Sequence, residues 1–193
     1  KSTPEQSFSM EIGPFEMRAN HLEFAPGGNL QDANLQNQDL TNIDLSHANL
    51  CGANFSLSNL SGANLSGADL RFAYLGESNL CQANLSGARL GYANLRFANL
   101  TGANLSAAKL VAANLRFAIL QEADLSDAIL MYISGTELNL QNANLTDANL
   151  TLAYLSRANL SGADLTRTNL SGAQLKGATM PDGAIHSLGA EKT

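Results

Sequence analysis

A five-residue repeat that holds its register from Gly28 to Met180, with no residue inserted or deleted, constrains this chain more than any other feature. Leu30, Leu35, Leu40, Leu45 and Leu50 open the series and Phe55 substitutes once; it runs through Leu130, lapses at Gly135, resumes at Leu140 and closes at Met180. Two places before each sits a small residue, usually alanine, and directly before it Asn or Asp, so the unit is A-(N/D)-L-x-x. Neither regular element accommodates that period. On an α-helix successive leucines would step round by about 140° and cover every side. On a flat strand an odd spacing sends alternate leucines to opposite faces. Leucine faces inward every time only if the backbone turns between units, and a regular turn per unit makes a solenoid.

The number of units per turn is legible in the outward positions, because residues stacked on one side of a coil resemble each other. At four units per turn, the residues after Leu45, Leu65, Leu85, Leu105, Leu125, Leu145 and Leu165 are Ser46, Ser66, Ser86, Ser106, Ser126, Thr146 and Thr166, a wholly hydroxylic column. The residues before the same leucines are all Asn or Asp, whereas the matching columns elsewhere contain Arg89, Lys109, Ile129, Tyr74 and Tyr154. A 20-residue super-period of four equal sides predicts a square cross-section.

With A-(N/D)-L-x-x covering most of its length, the chain resembles the pentapeptide-repeat family. The resemblance implies an all-β fold, a right-handed quadrilateral β-helix with leucine and alanine inside, and a role in binding macromolecules rather than in catalysis. The ending Met180-Pro181-Asp182-Gly183-Ala184-Ile185-His186 also resembles the closing motif of many cyanobacterial members. Departures are few: Gly135 lacks the central apolar group, and Gln38, Ile43, Ile133 and Leu138 replace a small residue. At the lapse two outcomes are open. Ile133 and Leu138 compensate the missing volume with the register kept, or a bulge displays Tyr132 and Glu137.

Residues 28–180 are expected to form about 7–8 coils of 20 residues, a rod of roughly 36 Å at about 4.8 Å per coil. Residues 1–27 break the register. Phe8, Met10 and Ile12 alternate with polar residues and Phe15 and Met17 alternate again after Gly13-Pro14, so this stretch reads as an N-terminal cap of short strands, or as a linker. Residues 181–193 read as a C-terminal cap and tail, with Ile185 and Leu188 over part of the last coil. That thinner cap offers an end for homodimerisation. A chain beginning at Lys1 is expected to be a trimmed product or one domain of a longer protein.

The net charge of −6 is spread along the chain and argues for solubility rather than a charged ligand. Cys51 and Cys81 are one and a half turns apart, on opposite faces, and two free thiols favour a reducing compartment such as the cytoplasm. No apolar run is long enough to span a bilayer. His21, His47 and His186 lie in separate regions and cannot converge on a metal. The serine column has no His-acid pair beside it, a leucine-packed rod has no substrate cavity, and Asp127 over Asp147 reads as solvated surface. No enzyme activity, metal or cofactor is therefore expected.

What exceeds the demands of the fold is the uneven placing of variable residues. On the face of Leu30 and every twentieth residue onward, the second residue after the leucine is Phe72, Tyr92, Ala112, Tyr132 and Leu152 along the middle of the rod. The neighbouring face carries Phe97 and Phe117 after Arg96 and Arg116, and Tyr74 and Tyr154 are expected on the corner between the two. Val111, Ile129 and Met131 add to the same side, with Arg71, Arg89 and Lys109. The opposite side holds the hydroxyl column with Asp39, Asp44, Glu122, Asp124, Asp127, Asp147 and Asp164. Either the aromatics only stack on each other and shield the corners, or they form a protein-docking ribbon. Three functions follow: a rigid scaffold for another protein, a domain of a larger membrane-associated protein contacting anionic lipid or glycan, or, as in relatives that mimic duplex DNA, a DNA gyrase inhibitor. Direct nucleic-acid binding is not expected at this charge.

Overall fold

The computed structural model describes residues 24–187. Parallel bridges between residues 20 apart run without a break from Asn29↔Asn49 to Asn159↔Thr179. The chain forms the right-handed quadrilateral β-helix expected of its period. Four walls are named here by the residue that bridges: the first contains Asn29 and Asn49, the second Asn34 and Asn54, the third Asp39 and Asn59, the fourth Asp44 and Asn64.

One unit shows why this sequence makes this wall. In Ala103-Asn104-Leu105-Ser106-Ala107, the Ala103 N–H closes a turn on Leu100 O (3.0 Å), Asn104 donates back to Ala83 O (2.9 Å), and Leu105 and Ala107 donate forward to Asp124 O (2.7 Å) and Ser126 O (2.8 Å). The remaining N–H, of Ser106, goes to the Asn104 side-chain Oδ1 at 2.9 Å. All five amides are satisfied, the last by the Asn or Asp of the motif, whose Asx bond holds the corner.

Each corner is a turn whose second central residue has φ near +60°, the left-handed region. Glycine fills it at no steric cost, as at Gly102 (φ +64°), yet 22 of the described residues with side chains also adopt it. Gly102 has a second reason to stay bare, because the Gln82 amide of the preceding coil occupies the place of its missing Cβ. Gly102→Val is expected to cost about 2 kcal/mol, combining left-handed strain on a β-branched residue with displacement of Gln82. The shift in urea midpoint measures it.

Leucine and alanine are fully buried from Leu45 to Leu160 almost throughout. Where a hydroxyl replaces alanine it is bonded inside: Ser58 Oγ donates to Leu35 O (2.6 Å) and Ser78 Oγ to Leu75 O (2.7 Å). At the lapse the register is kept and no bulge forms. Ser134 bridges Tyr154 in the regular pattern, Gly135 N–H donates to Tyr154 O (2.8 Å), and Ile133 and Leu138 are both buried.

Pro181-Asp182-Gly183 turns the chain back so that Ile185 pairs antiparallel with Thr179, and Met180 N–H donates to Ala184 O (2.7 Å). Ile185 does not cover the coil as expected; it is 62% exposed, because antiparallel pairing with the wall turns it outward. Leu165, Leu170, Leu175 and Met180 remain only partly buried. The expected N-terminal strands fall in residues 1–23 and Leu188 in residues 188–193, outside the described residues.

Candidate functional site

The second wall and the corners on either side of it collect the aromatic residues. Along the corner between the first and second walls lie Phe72, Tyr92, Tyr132 and Leu152, each in the left-handed turn position. Phe97 and Phe117 take the same position on the corner between the second and third walls. The sequence placed Tyr74 and Tyr154 on a corner and the Phe72 series on a flat face. The structure reverses this, because the bridging residue is the one before leucine: Tyr74 and Tyr154 are wall residues and the ring-bearing columns are the corners.

The rings stack from coil to coil. Phe72 and Tyr92 are 5.4 Å apart between centroids at 6°, and Phe97 and Phe117 are 4.9 Å apart at 12°. The Arg96 guanidinium lies over Phe97 at 4.5 Å and reaches Phe117 at 5.6 Å, where Arg116 also sits at 5.6 Å. Stacking does not hide them: Phe72 stays 53% exposed, Tyr92 62% and Tyr74 54%. Phe117, Val111 and Met131 are half-buried, whereas Tyr132, Leu152 and Tyr154 are exposed.

The basic residues of this side divide into two kinds. Arg71 is bound to Asp69 through Nε (2.7 Å) and a terminal nitrogen (2.6 Å), and Arg89 reaches the same carboxylate at 3.5 Å. The Arg71 hydrogen bonds hold the Asp69 carboxyl below its usual value. Asp69 stands one coil above Arg89 in its own column, and that adjacency is the sequence signal for the pair. Arg157 is likewise paired, with Glu137. Among the described residues Arg96, Arg116 and Lys109 form no ion pair, so they carry the positive charge this side shows to solvent.

The opposite side is quieter. Asp147 accepts both Arg167 nitrogens at 2.6 and 2.5 Å, which lowers its pKa and leaves Asp127 beside a neutral pair. Asp39, Asp44 and Asp164 are held low by hydroxyl and amide donors of their own turns, Thr41, Ser46 and Thr166. No group of three or more metal-ligating residues occurs among the described residues. Cys51 and Cys81 are free and half-buried, and among the described residues no helix is long and apolar enough to cross a membrane.

Sequence reasoning saw that Asn gives way to Tyr74, Arg89, Lys109, Ile129 and Tyr154 away from the hydroxylic column, but not that the losses fall on two adjoining walls. On the third and fourth walls the Asn or Asp of the motif yields only to Ile119 and Thr179, whereas on the first and second it yields to Tyr74, Arg89, Lys109, Ile129, Ser134, Tyr154 and Gln174. Tabulating each column for departures from Asn would have found the pattern.

No curated protein sequence matches the chain. Among solved structures, a trypsin-treated variant of QnrB1, a plasmid-mediated fluoroquinolone resistance protein, aligns over 82% of this chain and 89% of its own with a TM-score of 0.66 at 22% identity, a likeness of fold. HetL, involved in heterocyst differentiation regulation in the cyanobacterium Nostoc sp. strain PCC 7120, is 31% identical over 86% of this chain and 94% of its own, with a TM-score of 0.32. A thylakoid-lumen protein of Arabidopsis thaliana is 30% identical over 69% of each chain, with a TM-score of 0.23. The family model described as Pentapeptide repeats matches eight copies at residues 29–67, 63–96, 98–131 and 143–181, leaving out the lapse around Gly135. Those matches span most of a rod whose every described coil has the same square plan, and the chain belongs to the pentapeptide-repeat family.

Proposed function

We propose that the rod is a non-catalytic scaffold that docks another protein along its aromatic-basic side. The observation that carries this reading is the loss of wall asparagine on the first and second walls, where Tyr, Arg, Lys and Ile stand instead. Each replacement forfeits an Asx bond worth about 0.5–1.5 kcal/mol and turns an apolar or cationic side chain to water. Stacking of the corner rings returns about 0.5–1.5 kcal/mol per pair, against roughly 1–2 kcal/mol for holding a side chain in left-handed backbone. Glycine at the same corners would serve the fold as well. Aromatic residues and arginine on a rigid surface are the usual anchors of protein interfaces, and the unpaired Arg96, Arg116 and Lys109 suit a partner with carboxylates among apolar groups.

The test combines Arg96→Glu and Arg116→Glu with Phe97→Ala and Phe117→Ala. Partners captured by the wild-type protein should be lost, on the order of 1000-fold in affinity for two hot-spot rings of about 2 kcal/mol each, while the melting temperature stays within a few degrees. Retained capture overturns the reading. Sedimentation with anionic liposomes separates contact with a lipid surface. The gyrase reading draws on a shared fold with a fluoroquinolone resistance protein, but the cationic side of this rod is ill-suited to imitating duplex DNA.

A further inference from the structure

The stacked corner between the first and second walls has one ring missing. Phe72, Tyr92, Ala112 and Tyr132 follow each other in consecutive coils with φ of 60°, 59°, 57° and 60°, so the backbone presents all four side chains in the same way. Phe72 and Tyr92 stack at 5.4 Å, one ring per coil. At Ala112 the column holds only a methyl group, half-buried, between two exposed tyrosines. Two coils separate Tyr92 from Tyr132, about 9.6 Å along the axis, which leaves room for one planar ring between them and too little for two.

What borders the gap selects its occupant. The preceding positions of the same corner are Gly91, Val111 and Met131, none with a side-chain hydrogen-bonding group. The Asn94 and Asn114 side-chain carbonyls each accept a bond from the Arg96 and Arg116 amides, at 3.2 and 3.3 Å. A phenyl ring loses nothing there and an indole has a single N–H to keep turned to solvent, whereas a nucleobase would leave several polar edge groups unpaired. On the adjoining first wall stand Lys109, in no ion pair among the described residues, and Arg89, only 3.5 Å from a carboxylate that Arg71 already satisfies.

We infer that this notch takes one aromatic side chain from a partner peptide whose flanking carboxylates meet Lys109 and Arg89, so that the partner completes the stack from Phe72 to Tyr132. The inference rests on the docking reading above and names the contact at its centre. It makes Ala112 a specificity position: any larger residue here fills the gap from within.

The protein contains no tryptophan, so the indole emission of a capped Asp-Glu-Trp-Glu-Asp peptide reports that ring alone. Titrated into the full chain, the peptide should give a saturable blue shift, and the labelled Ala112 methyl resonance should move upfield as a ring settles over it. Ala112→Phe is compatible with the fold, since Phe72, Phe97 and Phe117 hold the same backbone conformation, and it should weaken peptide binding tenfold or more. Glu122→Gln, in the same left-handed corner position on the opposite side of the rod, should leave peptide binding within twofold. A flat titration of the wild type, unchanged binding to Ala112→Phe, equal binding of a lysine-flanked peptide, or displacement by adenosine monophosphate at lower concentration than the peptide itself requires would each overturn the inference. If Ala112→Phe retains the native partner but the Arg96 and Arg116 reversals lose it, the notch is wrong and the docking side stands. If both retain it, the docking side is wrong as well.

Discussion

Gly135→Leu and Leu138→Ala are expected to destabilise the rod by about 1–3 and about 2–5 kcal/mol respectively, and together to cost less than about 1 kcal/mol. A Cβ at Gly135 would stand 3.0 Å from Leu155 Cδ2, 3.2 Å from Leu138 Cδ2 and 3.3 Å from Tyr154 O. The space a central leucine occupies in the other coils is thus partly filled by Leu138, which is fully buried two positions before Leu140. Leucine added at Gly135 overpacks the layer, and alanine at Leu138 leaves a cavity. Both changes together restore the alanine-leucine alternation of the neighbouring coils everywhere but at Ile133. Chemical denaturation of the four proteins of this cycle yields the coupling energy directly. Simple additivity of the two single losses would mean that the volumes do not exchange.

Leu105→Asn is the second large effect. Leu105 is fully enclosed, as are Leu85 and Leu125 directly before and after it in the stack. Asparagine there loses about 2 kcal/mol of apolar burial and leaves an amide without partners at about 1–3 kcal/mol. A loss of about 3–5 kcal/mol is a large share of the 5–15 kcal/mol typical of a folded domain. The same substitution at Leu175, only partly buried in the last coil, should cost less than half as much. Urea midpoints compare the two, and equal losses would show that the last coil is as well enclosed as the middle.

The architecture was legible because each residue type answers one geometric demand. Leucine marks the inward position, alanine allows adjacent walls to meet, and a hydroxyl column recurring every 20 residues counts the sides. Volume compensation at Ile133 and Leu138 could be stated from the sequence but not decided, because side-chain volume alone does not say whether a backbone will bulge; the bridge of Ser134 to Tyr154 decides it. The candidate surface was legible in composition and misplaced in detail. Spacing shows which residues share a column, but not whether a column lies on a flat or at a bend, and so Tyr74 and Phe72 exchanged places. Charge was read by type alone, whereas pairing depends on which column an acid occupies; Asp69 removes Arg71 from the free cations for that reason.

Every parallel bridge among the described residues joins residues 20 apart in a chain of 193, so the interval bridged is about a tenth of the chain length, the range of helical bundles rather than of β-sandwiches. No distant segments have to find each other before the sheet begins to form, and a coil once closed is the template for the next. An all-β protein of this plan escapes the slow search that long-range strand pairing imposes, and its assembly proceeds as growth from a seed along a single axis.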